Sequence, residues 1–438
     1  MTATGRDIGR PADRQVESPT VDHRRSASRR RSPLRTTGHL LTTQLVAAAA
    51  SLLINVLAAR TLGPAGRGHI ALLLQVAYLT NMLALAGTDR AYPVLIPAGR
   101  SALAATGDAI RLVTPSGLLL LTAAVPVVAV VGAGTPDDTG LTVTAFVVAA
   151  VALIAGGAVR VAAAASGTAG PYMTGAFTGQ LVLVAAVTVL TVAHVDSPAG
   201  WLLAYGVALC TGPALAWLLL RRQHSTGTTA YADLRAARRL GLRLLPAGLA
   251  GMVILRADRL LLPWLASYQQ LGLYIVVATV AEFAVLPVQS YVDAHAARWH
   301  RQHLDGTLPR ARPVLAAAGY GTAAGTVLVV AGYLLVPPVL GDDYRASTGL
   351  LVPLAVGTVA YSVSRVAVGL GVATGRARSA LITDIPAMVV ALGAYLVLIP
   401  RWGAYGAAVG SAVTYTTGAL LAAATLIANG PARARATS

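Results

Sequence analysis

Several charged side chains stand inside stretches that are otherwise mostly Ala, Leu, Val and Gly: Asp89, Arg90, Arg256, Asp258, Arg259, Glu282 and Arg365. Placing such a charge in lipid costs at least about 2.5–3.5 kcal/mol, so each is expected to face a partner or a water-filled space. Arginine stays charged when desolvated, and its planar fork of donors matches phosphate oxygens. Arg90, Arg256, Arg259 and Arg365 are therefore the candidates to hold a phosphate-bearing anion. Asp89, Asp258 and Glu282 are candidates to balance them or to take part in ion coupling. Successive helix residues turn by about 100°, so the group Arg256-x-Asp-Arg259 cannot all point one way. A plainer arrangement stays open: Asp258 neutralising an arginine, Asp89 and Arg90 snorkelling to the interface, and Glu282 a hydrogen-bonded acid. Asp384 falls near the end of its apolar stretch, where headgroups can accommodate it.

Other reactive chemistry has little to work with. His194, His295 and His300 lie at the ends of apolar stretches, far from metal-ligand spacing, so neither a metal nor another cofactor is expected. The chain contains no lysine, which rules out a Gly-x4-Gly-Lys-Ser/Thr phosphate loop and leaves ATP hydrolysis without support. Cys210 is the single cysteine; an intrachain disulfide framework is excluded, and a small buried hydrophobe is its simplest role. A net charge of +17 raises nucleic acid as a partner. The arginines sit between apolar blocks, however, with no compact basic domain, so nucleic acid is not expected.

The elements that must position these side chains are membrane-spanning helices. Charged residues make up 12% of the chain, against about a quarter in soluble domains, and mean hydropathy is +0.66. Blocks at 38–59, 141–159, 201–220 and 381–399 reach the approximately 20 residues a helix needs to cross the hydrocarbon. None alternates as barrel strands do. The expectation is an all-α polytopic protein with about twelve spans, at 38–59, 69–97, 112–133, 141–159, 173–193, 200–220, 242–266, 269–292, 313–338, 346–372, 381–399 and 404–427.

Arginine distribution orients them. With the N-terminus inside, inner segments collect the basic tail and Arg100, Arg111, Arg160, Arg221, Arg222, Arg235, Arg238, Arg239 and Arg243 among others. Outer segments keep only Arg60, Arg67, Arg345 and Arg401, beside the acidic pairs Asp137-Asp138 and Asp342-Asp343. The positive-inside rule then places both termini in the cytoplasm. Residues 1–37 read as a disordered basic tail, 38–220 and 242–427 as six-helix lobes, 221–241 as an Arg-rich inner linker, and 428–438 as a second tail. The linker segment 231–240 has helix-like spacing. Pro246, Pro287 and Pro386 are candidate kinks.

A faint internal echo accompanies the two lobes: residues 62–70 before the second span match residues 266–274 before the eighth, each a short hairpin with a glycine leading into an apolar helix. Paired halves are a common basis for alternating access. The hairpin Asn55-Val-Leu-Ala-Ala-Arg-Thr-Leu-Gly-Pro-Ala-Gly-Arg-Gly68 resembles the first hairpin of the Wzx-type polysaccharide flippases. Arg256-Ala-Asp-Arg-Leu-Leu-Leu-Pro263 with Gln270-Leu-Gly-Leu-Tyr274 is similar to the start of that family's second half. Leu340-Gly-Asp-Asp-Tyr344 and Ile399-Pro-Arg-Trp-Gly-Ala-Tyr-Gly-Ala-Ala408 resemble its outer loop and its last hairpin.

The resemblance runs from about residue 38 to 427 and rests on motifs that are individually unspecific but fall in order. It implies the fold of the multidrug/oligosaccharidyl-lipid/polysaccharide exporter superfamily, two six-helix lobes around a central cavity. It also implies a cargo, an undecaprenyl-diphosphate-type lipid-linked glycan flipped across the bacterial cytoplasmic membrane. Membrane lipids and the polysaccharide polymerase or glycosyltransferases of one pathway are the partners it suggests. Two other functions remain in view. A drug or cation antiporter of the same superfamily would favour an acid-rich cavity. A membrane-embedded glycosyl- or acyltransferase would need an acid or His cluster at a membrane face, which the short, mostly basic inner loops do not offer. A transporter that is not an enzyme is the expectation.

Overall fold

The computed structural model describes residues 33–97, 99–133, 137–222, 233–375 and 378–428, with backbone alone for 33–48, 247 and 378–380. The basic clusters of the expected N-terminal tail, residues 429–438 of the second tail and residues 223–232 of the linker lie outside the described residues. The chain divides into two units, 1–46 and 47–438. Within the first, residues 33–46 are helical. The second holds all the features below.

Helices follow one another as α1 Pro33–Leu85, α2 Thr88–Leu95, α3 Ala102–Gly132, α4 Thr139–Ser166, α5 Ala169–Val192 and α6 Pro198–Arg222. They continue as α7 Leu234–Leu265, α8 Tyr268–Leu304, α9 Ala311–Leu340, α10 Leu351–Ala373 and α11 Arg378–Ala428. Their starts are set by side chains that accept the first free backbone N–H groups: Ser101 for α3, Asp138 for α4, Asp233 for α7 and Ser267 for α8. The linker segment with helix-like spacing therefore enters α7 at Leu234, and α7 bends by 48° between Pro246 and Gly248. Pro287 and Pro386 lie inside helices that run on past them.

Among the described residues nine helices are long and apolar enough to cross a membrane, or ten with bent α7 as one span. Two of them are double crossings. At 1.5 Å per residue α1 and α11 would each extend well over 70 Å, more than twice the hydrocarbon thickness. Each breaks at a glycine with non-helical angles, Gly63 (φ 63°) and Gly403 (φ 55°). The chain reverses at both. Arg67 reaches back to Asn55, and a Cβ on Gly406 would lie 2.1 Å from the carbonyl oxygen of Leu398. The fold is thus the expected one of about twelve helices in two lobes.

The turns at Gly63, Ala266, Gly341 and Gly403 gather at one end of the bundle, called here the hairpin end. Gln270 accepts the Ala404 N–H at 2.9 Å, and Arg60 donates to the carbonyls of Val339 (2.6 Å) and Pro338 (3.0 Å). Here the two halves make one contact twice. A Cβ on Gly68 would sit 1.9 Å from the Tyr268 carbonyl oxygen, and a Cβ on Gly272 would sit 1.8 Å from that of Pro64. In the echo between 62–70 and 266–274, Gly68 aligns with Gly272 and Pro64 with Tyr268. The internal repeat is therefore a reciprocal backbone contact, which only residues without a side chain permit.

Other groups seal the same end. His69 stacks on Tyr268 with ring centroids 3.8 Å apart, Asn55 donates to the Val276 carbonyl at 3.4 Å, and Tyr344 donates to the Ala59 carbonyl at 3.3 Å. A buried apolar cluster joins Leu72, Leu73 and Phe146 of the first half to Leu262, Leu271 and Tyr274 of the second. At the opposite end the start of α7 rests on the first half. Ala237 packs with Tyr92 and Leu112, and Arg238 donates to the Leu112 carbonyl at 3.1 Å.

Candidate functional site

The charged centre is built by α7 and α8 of the second half. Arg256 and Arg259 are three residues apart and so share a face of α7. Glu282 meets both of them from α8, about 20 Å along that helix from its hairpin-end start. Arg256 Nη1 lies 3.0 Å from Glu282 Oε1, and Arg259 Nη2 lies 2.5 Å from the same oxygen. The Arg259 side chain is 7% exposed, whereas those of Arg256 and Glu282 are 34% and 33% exposed. One arginine anchors the pair while the other reaches open space. The two guanidiniums share this one carboxylate, and Arg259 Nε is a buried donor with no hydrogen-bond partner among the described residues.

Asp258, between the two arginines in sequence, points elsewhere. Its carboxylate accepts from the Tyr274 hydroxyl and from the Arg259 backbone N–H (2.8 Å). The Tyr274 hydroxyl lies 3.2 Å from Ser411 Oγ, which lies 3.1 Å from the Tyr395 hydroxyl. The α7 group therefore divides as the 100° rule requires: arginines toward Glu282, Asp258 into a buried hydrogen-bonded chain. Beside this chain, Asp258, Tyr274, Glu282 and Ser411 border a cavity of about 50 Å³, too small for a sugar head.

The remaining candidates lie apart from this cluster. Asp89 and Arg90 sit exposed on the short helix α2, after a break at Ala86 (φ 47°) and Gly87 (φ 74°) that ends the second span before them. Neither makes an ion pair among the described residues. Arg365 is exposed on α10, its guanidinium 5.6 Å from the Tyr361 ring and within electrostatic reach of Asp384. Tyr361 in turn accepts from Gln289 at 2.8 Å and borders the small cavity, so Arg365 stands one helical turn from the centre.

Sequence reasoning passed over four features. Arg67, counted with the outer loops, is buried and donates twice to Asn55 Oδ1, at 3.0 and 2.7 Å. Asp108 is buried near the start of α3, accepting from Arg100 at 2.6 Å and Tyr92 at 3.0 Å. That carboxylate holds the Arg100 guanidinium above its ordinary pKa. The Tyr274–Ser411–Tyr395 chain is the third. The fourth is Arg160, counted with the inner loops, which lies in α4 and makes no ion pair with any described residue. Tyr78 in α1 is half-exposed, and the charges of Arg256, Arg160 and Glu282 all act on its hydroxyl. A cation of the first half and the charged pair of the second are thus within electrostatic range of one tyrosine. Uncharged polar residues in apolar stretches, Asn81 and Gln180 near Arg160, were the available signal.

No protein-family model matches this sequence, and no curated protein does either. Solved structures do match. The lipid II flippase MurJ in an inward closed conformation superposes with a TM-score of 0.64 at 11% identity, over 88% of this chain and 87% of that one. An inward-facing multidrug resistance MATE family transporter of the MOP superfamily gives 0.68 at 15% identity, over 87% and 95%. An outward-facing MATE structure gives 0.53 at 14% identity, over 88% and 94%. At these identities the likeness concerns the fold, and the chain has the fold of the MurJ and MATE transporters.

Proposed function

We propose that this chain is a Wzx-type flippase that carries a lipid-linked oligosaccharide or polysaccharide precursor across the bacterial cytoplasmic membrane by alternating access, with both termini in the cytoplasm. The observation that carries the reading is the sign of the charge facing the space between the halves. Arg256, Arg259 and Arg160 outnumber the two carboxylates near them, Glu282 and the inward-turned Asp258. A guanidinium held by one contact to a carboxylate keeps donors for a diphosphate, which it grips as a fork. A cavity for organic cations would carry the opposite balance. Arg259 holds Glu282 in place, and Arg256 and Arg160 engage the phosphates. The lipid tail stays in the bilayer while the polar head passes.

The sealed hairpin end and the higher TM-score against the inward-facing MATE structure support an inward-facing state. In that state, headgroups enter from the opposite end. Opening toward the other side requires the Gly68–Tyr268 and Gly272–Pro64 contacts to separate.

The test is flipping of a fluorescent undecaprenyl-diphosphate oligosaccharide in proteoliposomes of purified protein, followed by accessibility of the label. Translocation above empty liposomes is expected, with at least about a tenfold loss in Arg256→Gln, the scale of one charge-assisted contact. Organic-cation uptake driven by a proton or sodium gradient, without glycolipid movement, would establish the antiporter instead.

A further inference from the structure

Beside the charged centre, the first half contains a recess of about 260 Å³ bounded by α1, α4, α5 and α6. Tyr78, Asn81, Arg160, Tyr172 and Gln180 supply its polar lining, and Gly156 forms some of its floor. Resting on the flippase reading above, we propose that this recess is a subsite for one neutral pyranose of the cargo, the sugar next to the diphosphate.

Two independent observations point to a ligand. Asn81 is 9% exposed, and its Oδ1 is buried with no hydrogen-bond partner. That oxygen is packed toward Gly157 and has no open surface for a ligand to reach; the part of the side chain that borders the recess makes no hydrogen bond to any described residue. The second observation is Gly156. Glycine inside a helix costs roughly 0.5–1 kcal/mol relative to alanine, so it normally answers a packing need. At Gly157 the need is plain, because a Cβ would lie 2.7 Å from Asn81 Oδ1 and 3.3 Å from Leu85. At Gly156 nothing lies within 4 Å of where a Cβ would stand. What Gly156 preserves is volume.

The chemistry of the lining selects the ligand. Tyr78, Tyr172, Gln180 and Arg160 make no hydrogen bond to any described residue, so their polar ends are free for one. Two amides offer paired donors and acceptors to neighbouring hydroxyls, and two tyrosines offer ring faces for the C–H side of a sugar. At about 260 Å³ the recess falls just under the ~300–1,000 Å³ typical of drug-sized ligands, which suits a single ring. Tyr78 borders the recess and lies within electrostatic range of Arg256 and Glu282 of the other half. A sugar here would leave its diphosphate between Arg160 and Arg256.

The experiment compares binding of undecaprenyl diphosphate with undecaprenyl diphosphate carrying one glucose, galactose or N-acetylglucosamine, using the full-length protein in detergent. Wild-type protein is expected to bind at least one glycosylated lipid about tenfold more tightly than the bare lipid, the scale of one or two polar contacts. Gly156→Leu fills the recess from open space and should bring that affinity down to the bare-lipid value. Gln180→Ala, which removes an arm and adds no bulk, should lower it severalfold and decides the matter if the leucine variant fails to fold. Equal wild-type affinity for bare and glycosylated lipids, or an unchanged preference in both variants, overturns the subsite and leaves the diphosphate reading standing. Failure of every lipid to bind overturns both.

Discussion

In the second half, Glu282 draws Arg256 and Arg259 together and Asp258 is tied to Tyr274, so every intramembrane charge of that cluster has a partner. In the first half, among the described residues, Arg160 has no carboxylate partner and the buried oxygen of Asn81 has no donor. Yet the halves meet through the same backbone contact, with Gly68 and Gly272 in equivalent places. The repeat keeps how the chain packs while the charges differ. The lesson is a division of labour. The second half braces its central cluster with ion pairs, whereas in the first the pair Arg100–Asp108 lies apart and the recess around Arg160 presents unpartnered polar groups.

The strongest way to break this contrast is to remove its brace. Glu282→Gln leaves two arginines unpaired, one of them buried, and should cost roughly 3–5 kcal/mol, read as a loss of stability to denaturant in micelles, with Glu282→Asp restoring some of it. Arg160→Gln should change stability by less than about 0.5 kcal/mol, because no partner is lost, while abolishing most glycolipid flipping. A large destabilisation by Arg160→Gln would show that Arg160 is braced as well.

Next in size are the paired glycines. Gly68→Ala and Gly272→Ala each force a methyl into a facing carbonyl and should cost about 1–3 kcal/mol. Their sum should exceed the cost of the double variant, since each substitution opens the same interface. Both should also shift the protein toward the state open at the hairpin end, seen as faster thiol labelling of Val56→Cys in a Cys210→Ser background. Strictly additive costs would argue against a shared seal.

The smallest effect separates neighbours in α4. Gly156→Ala should stabilise the protein by up to about 1 kcal/mol, whereas Gly157→Ala should destabilise it by a similar amount through contact with Asn81. Thermal denaturation of the two variants side by side would settle the difference in sign.

Legibility in the sequence followed the range of the interaction. Spans were readable because lipid imposes a length and an apolar composition on each helix separately, and the spacing of Arg256 and Arg259 already put them on one face. The double helices α1 and α11 were readable as four spans, since the apolar runs are interrupted at Gly63 and Gly403. Arg67 was misplaced for one reason. Counting charges by loop assumes that an arginine beside an apolar run faces water, and Arg67 is buried within α1 instead.

The sequence alone determined that this is a helical membrane protein of paired halves with charges to shelter, because hydropathy and helical periodicity act locally along the chain. Only the tertiary structure decided which charges share a carboxylate, that Gly68 and Gly272 close one seal, and that Arg160 borders a recess with Tyr78, Asn81 and Gln180. Those choices depend on groups tens to hundreds of residues apart being brought within a few ångströms, and no local pattern encodes such distances.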